Sequence, residues 1–237
     1  TLRARRFDRV VDSQGLIRSA ILTRMARGER HGYDADSIRE PLAAYAYDVR
    51  HRVPRGIHAV TRNRALTALA LGYSFETSID YGLPRPPSSG GAPYAVLLHG
   101  TSRERKEWRE SDWIGLGRAL RQRGLDIVLP WGTDAERLRS EKLAAAIEGS
   151  RVLPRRPLGE TAQVIAGAAL VVGVDTGLLH LAAAYAVPLV GIFTATDPGL
   201  TGPVGSGPIT ILGGPQDYPG YAPVVSAVEA LSGVGGR

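Results

Sequence analysis

Asp175, Thr176, Gly177 and His180 share one short stretch, Val171-Val172-Gly173-Val174-Asp175-Thr176-Gly177-Leu178-Leu179-His180-Leu181-Ala182-Ala183-Ala184. Their spacing suits anion binding. The apolar run before Asp-Thr-Gly reads as a strand, and the Ala/Leu pattern after it reads as a helix. A helix starting there aims free backbone N–H groups and a positive dipole end at whatever lies above the strand. A phosphate is the natural guest. An ordinary capped helix, with Asp175 or Thr176 as N-cap, explains the same residues.

Further polar residues follow other apolar runs. Gly100, Thr101, Ser102, Arg103 and Lys106 follow one, and Gly132, Thr133 and Glu136 another; Thr194, Thr196 and Asp197 follow a third. Glycines at such turns let backbone approach a ligand, and hydroxyls with a lysine hold phosphate oxygens. Each residue also has a plain structural reading. Lys106, one of two lysines in the chain, suits a solvated surface; His180 suits a helix face; Glu136 suits a helix N-terminus. Their common place past strand ends favours a ligand rim.

The elements that must position them follow from periodicity. Phe7–Asp12 reads as a strand, Ser13-Gln14-Gly15 as a turn, and Leu16–Met25 as a helix stopping at Gly28, with no sheet partner evident for the strand. Leu42–Tyr47 is a helical patch, and a further helix ends at Gly72. Residues 80–93, rich in Pro, Gly and Ser, read as a linker. Beyond it, strands are expected at Tyr94–His99, Leu125–Trp131, Arg151–Leu153, Ala169–Val174, Pro188–Phe193 and Pro208–Leu212. Helices are expected at 107–123, 133–148, 158–166, 176–186 and 223–231. Unbroken apolar strands alternating with helices mean a doubly wound α/β domain, its ligand beyond the carboxyl ends of the strands. No Gly-x-Gly-x-x-Gly follows the first of these strands, so ordinary dinucleotide binding is not supported.

Composition narrows the class. The chain has 237 residues, 43% of them hydrophobic, and no cysteine. Disulfide frameworks and thiolate metal sites are therefore excluded, and a cytoplasmic location fits. No apolar run approaches transmembrane length. Residues 1–64 hold 14 basic and 7 acidic side chains, so the net charge of +6 arises there. Arginine suits bidentate capture of carboxylates or phosphates. Because these arginines lack clustered aromatics, an anionic small molecule or a membrane headgroup suits them at least as well as nucleic acid.

Several stretches resemble one known family. Val-Asp-Thr-Gly-Leu-Leu-His-Leu-Ala-Ala-Ala (174–184) is similar to the Asp-(Ser/Thr)-Gly-x-x-His signature of the ADP-heptose:lipopolysaccharide heptosyltransferases of glycosyltransferase family 9. Val-Asp-Ser-Gln-Gly-Leu (11–16), Leu-Pro-Trp-Gly (129–132) and Thr-Asp-Pro-Gly-Leu (196–200) look like the heptosyltransferase I group. Arg-Glu-Pro-Leu-Ala (39–43) and His-Ala-Val…Arg (58–62) add to the match. The resemblance implies a GT-B fold, two Rossmann-like domains facing across a cleft: residues 1–79 an incomplete acceptor domain, 94–220 the donor domain, 221–237 a closing helix and tail.

It also implies inverting transfer of L-glycero-D-manno-heptose from ADP-heptose to the Kdo of Kdo2-lipid A, with no metal or other cofactor. Thr101, Ser102 and Lys106 would hold the diphosphate, with Lys106 stabilising the leaving group. Glu136 would contact the adenosine, and Asp175, Thr176, Gly177 and His180 the diphosphate–heptose region. Gln14, Arg39, His58 and Arg62 would face the acceptor sugars. The implied setting is peripheral contact with the cytoplasmic face of the inner membrane, without nucleic acid.

Two departures matter. Arg156 stands where that family carries an apolar residue. The Gly-Asp turn that bears the family's expected base has no match; Asp12 aligns elsewhere. The expectation is a fragment or a degenerate chain, inefficient in transfer and with an unpaired sheet edge prone to aggregation. The alternatives are a heptosyltransferase II-like ADP-heptose transferase and a non-catalytic nucleotide-sugar-binding fragment.

Overall fold

The structure is a computed structural model that describes residues 2–76, 78–84, 91–101 and 103–233. Ser102 and residues 85–90 of the Pro/Gly/Ser-rich segment lie outside the described residues. The chain divides into two compact units, residues 1–78 with 199–201, and residues 79–198 with 202–237.

In the first unit a three-stranded parallel sheet runs in the order β1 (Arg6–Asp12), β2 (Arg27–Tyr33), β3 (Val49–His51). Helices α1 (Ile17–Met25) and α2 (Ala59–Leu71) accompany it. Here the structure corrects the sequence expectation. Gly28 does not stop the first helix but lies inside β2, the partner that β1 was expected to lack. Only glycine fits, because a Cβ there would stand 2.5 Å from the Phe7 carbonyl oxygen. β2 escapes pattern reading because polar contacts replace an apolar face. His31 Nε2 is 2.9 Å from Glu29 Oε2, and His31 Nδ1 is 2.9 Å from His51 Nε2. The patch at 42–47 forms a short 3₁₀ turn, Pro41–Ala46, rather than an α-helix.

Asp12 is spent on structure. Its Oδ2 accepts the Tyr47 hydroxyl at 2.7 Å, while its Oδ1 accepts the Gln14 and Gly15 N–H groups at 2.9 and 3.3 Å. The buried carboxylate thereby shapes the β1–α1 turn.

The second unit is a six-stranded, all-parallel sheet in the order β6-β5-β4-β7-β8-β9. Its strands are β4 (Tyr94–Leu98), β5 (Asp126–Leu129), β6 (Ser150–Val152), β7 (Leu170–Val174), β8 (Leu189–Phe193) and β9 (Ile209–Gly213). The helices are α3 (Glu110–Gln122), α4 (Asp134–Ala146), α5 (Leu158–Ala166), α6 (Gly177–Ala184) and, after the single turn α7 (Pro198–Thr201) whose last three residues group with the first unit, α8 (Tyr221–Gly233). Alternate residues of each strand enter opposite cores. Leu97, Ile127, Val172 and Val190 pack with Trp113, Leu116 and Val224 on one face. Val96, Val128, Val171 and Leu189 pack with Ile165, Leu179 and Ala183 on the other. Each such side chain contributes about 1.5–3 kcal/mol on burial, which explains the unbroken apolar runs.

One boundary moves. α3 begins at Glu110 rather than near Glu107, because Glu104–Lys106 form a 3₁₀ turn and Trp108 is drawn into the core. Its indole N–H donates to the Pro219 carbonyl at 2.8 Å. The strand order reverses between β4 and β7, and a crevice opens past the strand ends at such a switch point.

Candidate functional site

The switch point sets the turn after β4 beside the turn after β7. Lys106 Nζ donates to Asp175 Oδ2 at 2.6 Å, and the Thr196 hydroxyl, past β8, donates to the same oxygen at 2.6 Å. The Thr101 hydroxyl donates to the Asp175 backbone carbonyl at 3.2 Å. The Thr194 hydroxyl donates to the Arg105 carbonyl at 2.8 Å, fastening the loop that carries Lys106. Burial pushes the Asp175 carboxyl up, but the bonds from Lys106 and Thr196 and the nearby charges of Lys106 and His180 outweigh it. The net direction is down, so Asp175 is an anion at neutral pH.

This pairing decides how α6 begins. Asp175 turns to Lys106, and Thr176, at the N-cap position with φ −144° and ψ 155°, makes no side-chain cap bond. The simply capped helix is thus not what forms. Nothing lies within 4 Å of where a Gly177 Cβ would stand, so the helix start faces open space. An uncapped N-terminus beside a lysine offers donors and positive potential to an anion.

Next to it lies a cavity of about 300 Å³. Its apolar wall includes Leu98, Trp131, Leu158 and Leu178, while Thr176, Glu136 and Arg156 bring polar groups. Glu136 is held by the start of α4: its Oε2 accepts the Gly132 and Thr133 N–H groups at 2.8 and 2.9 Å. Its own N–H donates to the Thr133 hydroxyl at 3.3 Å, completing a capping box. The helix-cap reading of Glu136 is therefore met, and its Oε1 is still available to a ligand. Gly100 makes room for it, since a Cβ there would stand 2.6 Å from that oxygen.

Sequence reasoning missed His99 and Ser140 beneath this rim. His99 is fully buried at the end of β4, its Nε2 2.7 Å from Ser140 Oγ on α4. Burial, helped by the Arg139 charge and opposed by Glu136, pushes the imidazole down to about 4. The folded state therefore holds neutral His99, whereas the unfolded chain takes a proton below about pH 6.5. Stability is expected to fall as pH drops from about 6.5 through 4, by up to about 3 kcal/mol from this group. Urea unfolding at stepped pH checks this, and His99→Gln should flatten that part of the profile. A polar residue ending an apolar run was the available signal.

The acceptor-side candidates gather separately, in the first unit, past its strand ends. Glu40 N–H donates to the Gly15 carbonyl at 3.1 Å, which brings the turn bearing Gln14 against the segment bearing Arg39. Gln14 and Arg39 are exposed. His58 caps α2, its Nδ1 accepting the Val60 N–H at 3.2 Å. Arg62 is more internal: an Nη2 hydrogen goes to the Ser37 carbonyl at 2.6 Å, and its guanidinium lies 4.7 Å from the Tyr33 ring centre. Among the described residues no group of three or more His, Cys, Asp or Glu side chains could hold a metal ion.

The chain as a whole is similar to known proteins. Lipopolysaccharide heptosyltransferase 1 of Pseudomonas aeruginosa is 48% identical over 204 residues, 84% of this chain and 58% of the relative. The protein of that name from Escherichia coli K12 is 44% identical over 211 residues, 86% of this chain and 66% of the relative. The chain thus spans about three fifths to two thirds of the length of these relatives. Among solved structures, E. coli heptosyltransferase WaaC with ADP superposes with a TM-score of 0.86 at 39% identity, covering 97% of this chain and 74% of that one. WaaC with ADP-2-deoxy-2-fluoro heptose gives 0.82 at 37% identity, covering 98% and 74%. The sequence profile of glycosyltransferase family 9 (heptosyltransferase) matches residues 1–219. With that match over most of its length, and a parallel α/β fold shared with these structures, the chain belongs to glycosyltransferase family 9.

Proposed function

We propose that the protein serves inverting transfer of L-glycero-D-manno-heptose from ADP-heptose to the Kdo of Kdo2-lipid A, in lipopolysaccharide core biosynthesis. The observation that carries this is the uncapped start of α6 with Lys106 beside it, next to a nucleoside-sized cavity. Residues 94–220 serve as the donor domain and residues 1–79 as part of the acceptor domain. The naming of relatives as lipopolysaccharide heptosyltransferases, and a WaaC structure bearing an ADP-heptose analogue, support the donor.

In this reading the acceptor oxygen bonds to the anomeric carbon as the carbon–phosphate-oxygen bond breaks. ADP leaves with the electron pair. Lys106 and the α6 N-terminus at Thr176 and Gly177 meet the charge that grows on the diphosphate, with Thr101 and His180 at the same rim. Asp175 is itself anionic, so beside a diphosphate it serves by holding Lys106 and Thr196 in place rather than by binding phosphate. Glu136 Oε1 accepts from a ribose hydroxyl. The proton acceptor for the attacking hydroxyl is not among these residues.

On the acceptor side, exposed Arg39 supports a contact with a Kdo carboxylate, with Gln14, His58 and Arg62 in the same unit. The exposed side chains of Ile21, Leu22, Leu42 and Tyr45 among arginines support peripheral contact with the cytoplasmic face of the inner membrane. No helix among the described residues is long and apolar enough to cross it. Calorimetric titration with ADP, and a transfer assay with ADP-heptose and Kdo2-lipid A, test the reading. Saturable ADP binding is expected, and its absence overturns the donor site.

A further inference from the structure

His99 and Ser140 are both fully buried, yet packing alone does not ask for either. Ser140 sits in the interior of α4, where serine has no propensity advantage and an apolar residue would fill the same space. His99 Nδ1 is buried with no hydrogen-bond partner among the described residues, so the ring is anchored through Nε2, 2.7 Å from Ser140 Oγ. A buried imidazole left half unpaired is costly and calls for a reason. The reason lies in what each partner is attached to. His99 leads directly into Gly100 and Thr101, the turn after β4. Ser140 lies four residues after Glu136, so the two share one face of α4. Two successive residues of the turn therefore meet two successive turns of the helix. Gly100 lies against Glu136, whose Oε1 is 2.6 Å from where a Gly100 Cβ would stand, and His99 lies against Ser140.

The other oxygen of Glu136 is already fixed by the Gly132 and Thr133 N–H groups. What is left to set is the distance from Glu136 to the turn bearing Thr101, whose hydroxyl reaches the Asp175 carbonyl beside Lys106. We infer that His99 and Ser140 are positioning residues: their bond sets the spacing between Glu136 and the turn after β4, so that one nucleotide reaches both. This rests on the donor-nucleotide reading proposed above, with the ribose on Glu136 and the diphosphate at the Thr101 and Lys106 end. Neither residue lines the cavity. A ligand held at both ends is sensitive to errors in spacing beyond about 0.5 Å. Half of that ligand is not, because it engages one end only.

Calorimetry at neutral pH with ADP, and displacement of ADP by adenosine or by pyrophosphate, tests this beside the melting temperature of each variant. Ser140→Ala is expected to weaken ADP by about ten-fold while adenosine and pyrophosphate change by less than about two-fold. His99→Gln keeps a hydrogen-bonding group near the place of Nε2 and is expected to recover most of the ADP affinity. The double variant His99→Leu with Ser140→Ala removes both polar partners together, so its melting temperature should return close to wild type. Its ADP affinity should stay about ten-fold low, which a merely structural role would not give. ADP affinity that recovers with the melting temperature in the double variant overturns the inference and leaves the donor site standing. Equal weakening of ADP and adenosine also overturns it, by placing the damage in the cavity rather than in the spacing. If the wild-type protein does not bind ADP, the donor reading fails, and this inference with it.

Discussion

Lys106→Met is expected to weaken ADP binding by about 100-fold and to destabilise the second unit by about 2–3 kcal/mol. Two separate effects combine. The variant removes the cation proposed to meet the diphosphate, and it leaves Asp175 without its charged partner. The pair is 2.6 Å apart, with the Lys106 and Asp175 side chains only 16% and 14% exposed, so solvent replaces little of what is lost. The remaining Thr196 hydroxyl bond holds the carboxylate only in part. The double variant Lys106→Met with Asp175→Asn removes the stranded charge. It is expected to regain most of the stability and none of the affinity, a non-additivity that urea unfolding and calorimetry read together. Recovery of binding in the double variant would sink the assigned role of Lys106.

The same pair has a pH signature. The Asp175 carboxyl is held below its ordinary value, so its contribution is full above the unfolded value near 4. It is lost as pH falls through the lower folded value. In Lys106→Met that low-pH loss should shrink, while the His99 loss between about pH 6.5 and 4 should remain.

Gly177→Glu is expected to separate binding from stability. The residue opens α6, where an acidic side chain interacts favourably with the helix dipole by about 0.3–1 kcal/mol. Nothing stands where its Cβ would go, and the position is exposed. The melting temperature should therefore stay level or rise slightly. The added carboxylate occupies the space offered to a diphosphate and repels it, so ADP affinity should fall by at least about ten-fold. Gly177→Ala is expected to show the steric part alone. Unchanged ADP affinity in Gly177→Glu would mean that the start of α6 is not the diphosphate seat.

Much of the second unit was legible because its strands are buried on both faces. Continuous apolar runs such as Leu170–Val174 and Leu189–Phe193 leave few alternatives, and the turn residues after them mark where a ligand can sit. β2 was not legible. Arg27-Gly28-Glu29-Arg30-His31-Gly32-Tyr33 satisfies itself by hydrogen bonds and ion pairs, among them Arg30 with Asp48, and carries no period that separates it from a loop. Glu136 was legible as a helix-start residue, which its capping box meets, and as a candidate site residue, and it lines the cavity. Arg62 was legible only as a cation; its bond to the Ser37 carbonyl and its place on Tyr33 depend on how α2 packs.

By itself the sequence determined the layered α/β class, the positions of the strand-end turns and the motif that starts α6, because these follow from local periodicity and turn chemistry. The tertiary structure alone decided what Asp175 does. Whether it caps its own helix or grips Lys106, 69 residues earlier, depends on β4 lying beside β7. No local pattern encodes that neighbour. Strand order is settled by the packing of the whole sheet, and the open, uncapped face of α6 is a consequence of it.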